Sequence, residues 1–128
     1  MKTISILLAF LTTLSFAALA ADKPANSTKL RHVVFFKFKP SASPAQIEEV
    51  VVAFRALKKK VSQVKDFEWG TNISPEKRDK GFTHAFFLTF TSEKDRDAYL
   101  VHPEHAAFVK VILPIIDDVF VIDYWAQE

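Results

Sequence analysis

The chain of 128 residues contains no cysteine and only two glycines, Gly70 and Gly81. Without cysteine the chain can form neither a disulfide nor a thiol nucleophile, so its stability has to come from packing or from oligomerisation. Two isolated glycines cannot build a glycine-rich phosphate-binding loop. A G-x-S-x-G nucleophile motif is also absent. These absences exclude phosphate-loop proteins, cysteine-dependent enzymes and hydrolases of the nucleophile-elbow type.

A large excess of charge of either sign is missing as well. The formal net charge is +2 at pH 7, and it falls to +1 if Lys2 is removed with a leader. The basic run over residues 58–60 is interpreted as the last turn of a helix, where the helix dipole favours cations. The composition therefore predicts no nucleic-acid partner and no membrane association of the mature chain.

The first 20 residues have the pattern of a signal peptide. A basic Met-Lys start precedes an apolar run over residues 4–19, and Ala18 and Ala20 are the small residues that a cleavage site needs at its −3 and −1 positions. We expect cleavage before Ala21 and export to the periplasm or the extracellular space, with an uncleaved membrane anchor as the alternative. The chain is thereby divided into a signal peptide over 1–20, a flexible leader over 21–30 and one domain over 31–126.

Hydrophobic periodicity predicts four strands and two helical segments. A capping box of Ser43 and Gln46 starts the first helix, and a second helix starts after Ser92 and breaks before Pro103. Asp117-Asp118 is expected to turn the chain into the last strand. The order β-α-β-β-α-β predicts a ferredoxin-like α+β unit, with both helices on one face of a four-stranded sheet. The strands are expected at residues 31–38, around residues 67–69, at 82–90 and at 119–125.

Alternation along these strands leaves one face of the sheet without a cover in a monomer. The residues expected on that face are mostly large and apolar, namely Phe35, Phe87, Phe120, Ile122 and Tyr124. An apolar patch of this kind exceeds what a soluble monomer normally exposes. Two sheets packed face to face would bury it, so the sequence predicts a homodimer and a dimeric α+β barrel.

The segment AYLVHPEHAAF, residues 98–108, concentrates polar side chains at a helix junction. If Pro103 is the first helical residue, His102 caps the helix and His105 lies in its first turn. The positive end of the helix dipole favours neutral His105, which could accept a proton as a general base. Tyr99 could hydrogen-bond a substrate carbonyl oxygen as negative charge develops there. The alternative is structural: His102 only caps, and His105 only satisfies a backbone carbonyl.

Five segments of the chain resemble the stress-responsive dimeric A/B barrel (Dabb) family: RHVVFFKFKP, the Trp69-Gly70 pair, GFTHAFFLTF, YLVHPEHAAF and VIDYW. The resemblance spans Arg31 to Trp125. It implies the dimeric α+β barrel and a kinship with plant stress proteins and a plant polyketide cyclase. In that cyclase a histidine and a tyrosine of the same helical element are thought to run an aldol-type ring closure. These two residues match His105 and Tyr99.

The resemblance also implies pocket residues outside the helix junction. Histidines on the first and third strands match His32 and His84, and a strand aspartate matches Asp123. A pocket tyrosine of the cyclase falls at Phe54, which implies a smaller and less polar cavity. No cofactor is predicted, and the histidine spacing fits no recognised metal-binding motif. The expected ligand-binding residues are His32, His84, His102, Asp123, Phe54 and Phe108.

Two functions remain open from the sequence. The first is an enzyme or binder of small, largely apolar carbonyl compounds, with His105 and Tyr99 as the acid–base residues. A cavity of about 300 Å³ or more beside these two residues would favour it. The second is a non-catalytic dimeric stress or scaffold protein whose core is filled by Phe36, Phe54, Phe86 and Phe108.

Overall fold

The computed structural model describes residues 27–127, so the predicted signal peptide and most of the predicted leader lie outside the described residues. The elements are β1 (Leu30–Phe38), α1 (Pro44–Lys60), β2 (Asp66–Thr71), β3 (His84–Phe90), α2 (Glu93–Leu100), α3 (Pro103–Ile112) and β4 (Ile116–Trp125). The strands form one antiparallel sheet in the order β2-β3-β1-β4. The predicted ferredoxin-like α+β class, with its broken second helix, is confirmed.

Helix α1 begins where local hydrogen bonds favour it. The Ser43 hydroxyl accepts from the Gln46 backbone N–H at 3.2 Å, and the Gln46 side chain accepts from the Ser43 N–H at 2.9 Å. Pro44 occupies the first helical position, where its missing N–H leaves no bond unmade. The helix ends at the three lysines of its last turn, and its buried residues are Val50, Val51, Phe54 and Leu57.

The broken segment after β3 forms two short helices. The Ser92 side chain caps α2 by accepting from the Asp95 N–H at 3.0 Å. Between the helices His102 is extended, with φ of −67° and ψ of 138°, and α3 starts at Pro103. A residue before proline disfavours the helical conformation, which explains the break. Within residues 27–127, no helix has the length and apolar character needed to cross a membrane.

The two faces of the sheet differ in their cover. On the helix side, Val34 pairs with Phe86 and both are buried in the core. On the open side, Phe35 pairs with Phe120, and the Phe120 side chain is 51% exposed. Ile122 and Tyr124 on the same side are also exposed, whereas Phe35 and Phe87 are half-buried. The uncovered apolar surface therefore lies mainly along β4.

Two strands begin at residues other than those expected. β1 starts at Leu30, which is buried in the core and so does not belong to a leader. β3 starts at His84 and not at Phe82, because the Phe82 N–H bonds to the Asp79 carbonyl in a turn at 2.9 Å.

The last strand is also longer than expected. β4 starts at Ile116, so Asp117 and Asp118 lie inside the strand and do not form the predicted turn. A register shift opposite Lys37 and Phe38 of β1 accommodates this extension. Asp117 then pairs across the strands with Lys37 at 3.1 Å, a contact that the local sequence does not reveal.

Candidate functional site

A cavity of about 460 Å³ lies between the helices α2 and α3 and the strands β1 and β4. Its walls are mostly apolar, with Val34, Val109, Ile112 and Val121 among the lining residues. Four polar side chains also line it: His32, Tyr99, His105 and Asp123. A mostly apolar cavity with a few convergent polar groups is the usual form of a small-molecule site.

The break between α2 and α3 brings two of these polar residues together. Tyr99 is the penultimate residue of α2, and His105 is the third residue of α3. Their ring centroids are 4.6 Å apart. The extended His102 and the helix-starting Pro103 turn the chain between them, so the phenol and the imidazole line the same cavity.

The hydrogen bond of His105 fixes which ring nitrogen carries the proton. Nδ1 lies 3.1 Å from the Leu100 carbonyl oxygen, which can only accept, so Nδ1 donates. In the neutral ring Nε2 is then the unprotonated nitrogen. Burial lowers the pKa of His105, and the nearby His32 lowers it further, while the Leu100 hydrogen bond opposes both effects. A neutral imidazole with a basic Nε2 is the form that a general base requires.

Tyr99 is fully buried, and its hydroxyl has no hydrogen-bond partner among residues 27–127. Burial raises the pKa of Tyr99 far above its ordinary value, so the phenol remains protonated and can donate. An unsatisfied buried hydroxyl costs about 1–3 kcal/mol. This hydroxyl is therefore a hydrogen-bond donor that no described protein group uses, on a residue that lines the cavity.

The third polar group is a buried histidine held by a carboxylate. The Nδ1 of His32 lies 2.6 Å from Oδ1 of Asp123, and the other oxygen of Asp123 accepts from Nη1 of Arg96. The His32 ring packs edge-on against Tyr99, with the ring centroids 5.8 Å apart. His32 and Asp123 thus belong to the same cavity as Tyr99 and His105.

Phe54 and Phe108 form an aromatic wall of this cavity. Their rings stack with centroids 4.4 Å apart and planes at 15°. Phe54 also packs against Phe86 at 4.7 Å and against Phe36 at 5.5 Å. The four phenylalanines fill one end of the layer between the helices and the sheet and leave the other end open.

A family model described as a stress responsive A/B barrel domain matches residues 30–126. The chain belongs to this family. The family inferred from the five sequence segments is thereby confirmed, and its model spans all the elements from β1 to β4.

Named relatives of this A/B barrel domain include stress-response proteins and enzymes. The stress-response A/B barrel domain-containing protein HS1 of Arabidopsis thaliana is 37% identical over 95 residues, which cover 74% of this chain and 87% of that protein. Olivetolic acid cyclase of Cannabis sativa is 28% identical over 99 residues, which cover 77% and 98%. The structure of a hydroxynitrile lyase from Passiflora edulis matches with a TM-score of 0.74 at 31% identity, covering 80% of this chain and 96% of that chain.

Solved neighbours of this fold are also described as dimeric. One from Bacteroides fragilis, with a ferredoxin-like fold, matches with a TM-score of 0.64 at 25% identity and covers 77% of this chain and 97% of that chain. The A/B barrel domain described here therefore has dimeric structural neighbours.

Two of the expected ligand-binding residues lie away from the cavity of Tyr99 and His105. The Nδ1 of His102 accepts from the Glu104 N–H at 3.1 Å, so His102 caps α3. His84 stacks on Trp69 and bonds through Nδ1 to the Thr83 hydroxyl at 2.9 Å. Burial lowers the pKa of His84, which the charge of Glu48 partly opposes.

His84 lines a different and larger hollow of about 880 Å³. Its other walls are the open sheet face around Phe87 and Phe120 and the loop that contains Arg78 and Lys80. The larger hollow is thus a concave part of the uncovered sheet surface. The smaller cavity is the better candidate for chemistry, because it holds the buried Tyr99 hydroxyl and the basic nitrogen of His105.

Sequence reasoning missed one residue of the polar cluster, Arg96. Arg96 precedes Tyr99 by three positions on α2, so both side chains lie on one side of that helix. This spacing is the local signal that could have found it. Among residues 27–127 no group of three or more histidines, cysteines or acids is placed to hold a metal ion.

Proposed function

We propose that the cavity beside Tyr99 and His105 binds a small, largely apolar carbonyl compound and that these two residues act on it as hydrogen-bond donor and general base. The observation that carries this proposal is the buried Tyr99 hydroxyl, which has no partner among the described residues. A ligand carbonyl oxygen would satisfy it. The cavity of about 460 Å³ exceeds the size that favours a ligand over a filled core, and its apolar walls suit an apolar ligand.

The proposed chemistry starts with removal of a proton from the carbon next to the ligand carbonyl by Nε2 of His105. The electron pair of the broken C–H bond forms an enolate, whose oxygen accepts a hydrogen bond from the Tyr99 hydroxyl. The enolate carbon then attacks a second carbonyl carbon of the ligand and forms a C–C bond. The resulting alkoxide takes the proton back from His105, so the sequence of steps is redox-neutral.

The names of two relatives support an enzyme over a scaffold. One relative is named as a cyclase and another as a hydroxynitrile lyase, so the A/B barrel fold carries enzymes at 28% and 31% identity to this chain. The polar groups of the cavity fit a shared requirement of such reactions, which is a base close to a donor that stabilises an oxygen. The scaffold alternative expects a core filled by phenylalanines. Only one end of the layer between the helices and the sheet is filled in this way.

Deuterium exchange tests the proposed base without knowledge of the natural substrate. The probes are aryl methyl ketones of increasing size, beginning with acetophenone, incubated with the protein in D₂O and followed by proton NMR. We expect the wild-type protein to accelerate loss of the methyl proton signal. His105→Ala removes the base and should reduce the acceleration by about 10²–10⁴-fold. Tyr99→Phe should reduce it by about 10²-fold.

Two matched variants control for indirect effects. Glu104→Gln changes the neighbour of His105 on α3, whose carboxylate pairs with Lys60 on the surface at 3.0 Å, and should leave exchange unchanged. Tyr124→Phe removes a hydroxyl from the open face and should also have no effect. Binding of a ketone without exchange would contradict the role of His105 as a base. If no ketone of the series binds and none exchanges its protons, the whole proposal is contradicted.

We also propose that two copies of the chain pack through the open sheet face. Phe120, Ile122 and Tyr124 expose apolar surface there, and the dimeric neighbour from Bacteroides fragilis supports such an assembly. Phe120→Asp would place a charge in that interface, which costs several kcal/mol unless the charge is paired. We expect a wild-type dimer and a Phe120→Asp monomer by light scattering at micromolar concentration.

The control for this variant is Val52→Asp on α1. Val52 is 53% exposed, close to the 51% of Phe120, but it lies on a helix and not on the open sheet face. It should leave the dimer intact. A wild-type monomer, or equal dissociation by both variants, would contradict the proposed interface.

Export is the last part of the proposed function. It rests on the basic start, the apolar run and the Ala18-Leu19-Ala20 site in the sequence. N-terminal sequencing of the protein from its native cell should read from Ala21. An intact Met1 would contradict export by cleavage at this site.

A further inference from the structure

A chain of three side chains connects the surface of α2 to the cavity. Arg96 on α2 donates from Nη1 to Oδ2 of Asp123 on β4, and Asp123 accepts through Oδ1 from Nδ1 of His32 on β1 at 2.6 Å. These residues come from three elements that are distant in sequence. The Arg96 and Asp123 side chains are only 20% and 23% exposed, and that of His32 only 7%, so water competes weakly for these bonds.

The two bonds of Asp123 use different oxygens of one carboxylate. The carboxylate therefore cannot rotate without breaking the bond to Arg96 or the bond to His32. Hydrogen bonds between ionised groups are about twice as strong as bonds between neutral groups. The positive charge of Arg96 thus holds the Asp123 carboxylate in one orientation, and that carboxylate orients His32.

The consequence for His32 is a defined tautomer. Nδ1 carries the proton because the Asp123 carboxylate can only accept a hydrogen bond, and in the neutral ring Nε2 is then unprotonated. No hydrogen bond of Nε2 occurs among residues 27–127. His32 lines the same cavity as Tyr99 and His105. The cavity therefore has a second imidazole nitrogen that can accept a hydrogen bond from a ligand.

We propose that Arg96 is a positioning residue, which holds Asp123 so that His32 keeps its proton on Nδ1 and presents Nε2 to the cavity. The use of that nitrogen by a ligand rests on the proposed function, but the positioning itself does not. A residue that forms only a surface ion pair would have no such effect on a buried histidine. Its second partner, Asp97, is 65% exposed and binds Nε of Arg96 at 2.7 Å, outside the chain of contacts to His32.

Nitrogen and proton NMR of histidine-labelled protein tests the positioning without a ligand. In the neutral ring of wild-type His32 we expect the proton on Nδ1 and not on Nε2, and slow exchange of that Nδ1 proton. Arg96→Leu should broaden or abolish that proton signal, with exchange faster by about tenfold, the factor that corresponds to about 1.4 kcal/mol. Arg96→Lys keeps the positive charge, so this variant should retain most of the proton signal that Arg96→Leu loses.

Asp97→Ala is the matched control, because it removes the other partner of Arg96 and leaves Asp123 in place. It should leave the His32 proton unchanged. If Arg96→Leu fails to fold, Arg96→Gln offers a neutral, shorter side chain that keeps a polar end group for the same measurement. A role limited to joining α2 to β4 would lower the melting temperature of these variants but leave the tautomer and the exchange of His32 as in the wild type. That result would overturn the proposal.

The NMR test of Arg96 and the ketone test of the proposed function can fail independently. The ring proton of His32 is observed in the protein alone, so failure of every ketone probe to bind would leave this result intact. Conversely, an unchanged His32 signal in Arg96→Leu would refute the positioning role even if the ketones bind and exchange.

Discussion

The layer between the helices and the sheet is packed differently at its two ends. At the end beneath α1, Phe54, Phe86 and Phe67 pack ring against ring, with centroids 4.7–6.1 Å apart. At the end beneath α2 and α3, a cavity of about 460 Å³ remains. A densely packed core and an open cavity are therefore not exclusive in this fold. One layer contains both.

The cover of β4 explains why the second end stays open. Val119 and Val121 point to the helix side of this edge strand, yet they are 43% and 45% exposed. Both line the cavity. The helices therefore cover the centre of β1 and β3 more completely than β4, and the cavity opens where this cover ends.

The largest expected effect comes from breaking the filled end. Phe54→Ala removes a buried ring with aromatic neighbours on several sides, and the unfolding free energy should fall by about 3–5 kcal/mol. Val121→Ala at the exposed rim of the cavity is the control and should change it by no more than about 0.5 kcal/mol. Urea denaturation at one fixed protein concentration measures both, because a dimer makes stability concentration-dependent. Equal losses would refute the contrast between the two ends.

Most of the fold was predictable because its signals are local. The capping box of Ser43 and Gln46 and the proline after His102 act within a few residues, and both mark the helix starts found in the structure. The start of β4 was not predictable in this way. Asp117 is compatible with a turn by its own sequence, but the backbone pairing of its neighbours Ile116 and Asp118 with β1 keeps it in a strand.

The site was predictable in part for the same reason. Tyr99 and His105 are close in sequence, and the helix break between them determines that they meet. His32 and His84 both alternate on helix-facing strand positions, so the sequence pattern treats them alike. The sheet order and the helix cover place only His32 in the cavity. The contact of Arg96 with Asp123 spans 27 residues and depends wholly on the tertiary structure.

A smaller effect should come from pH at the open end. Burial lowers the folded-state pKa of His105 below the unfolded value of about 6.5. Between these two values the unfolded state binds more protons, so stability decreases as pH falls from above about 6.5 through the folded pKa. The pKa of His84 is lowered in the same direction and adds to the effect.

Urea midpoints measured from about pH 8 to about pH 5 should therefore fall in the wild type. His105→Gln should flatten part of this dependence, and His84→Gln should flatten another part. A dependence that neither variant changes would show that other groups cause it. The same sign applies to the proposed base: His105 stays unprotonated somewhat below about pH 6.5, so the acid limb of ketone exchange should lie below that value.

The smallest expected change in stability is that of Tyr99→Phe, and it separates a functional hydroxyl from a structural one. A buried tyrosine hydroxyl that bonds to the protein contributes about 1 kcal/mol, and its removal destabilises. The Tyr99 hydroxyl has no such partner among the described residues, so its removal should leave the unfolding free energy unchanged or raise it. Tyr124→Phe on the open face is the control for loss of an exposed hydroxyl. The cavity keeps its shape because the ring remains. Unchanged stability together with lost ketone exchange would mean that the hydroxyl is retained for a ligand. A loss of about 1 kcal/mol or more would mean that a protein group already uses it, and the cavity would then lack the free donor on which the proposed function depends.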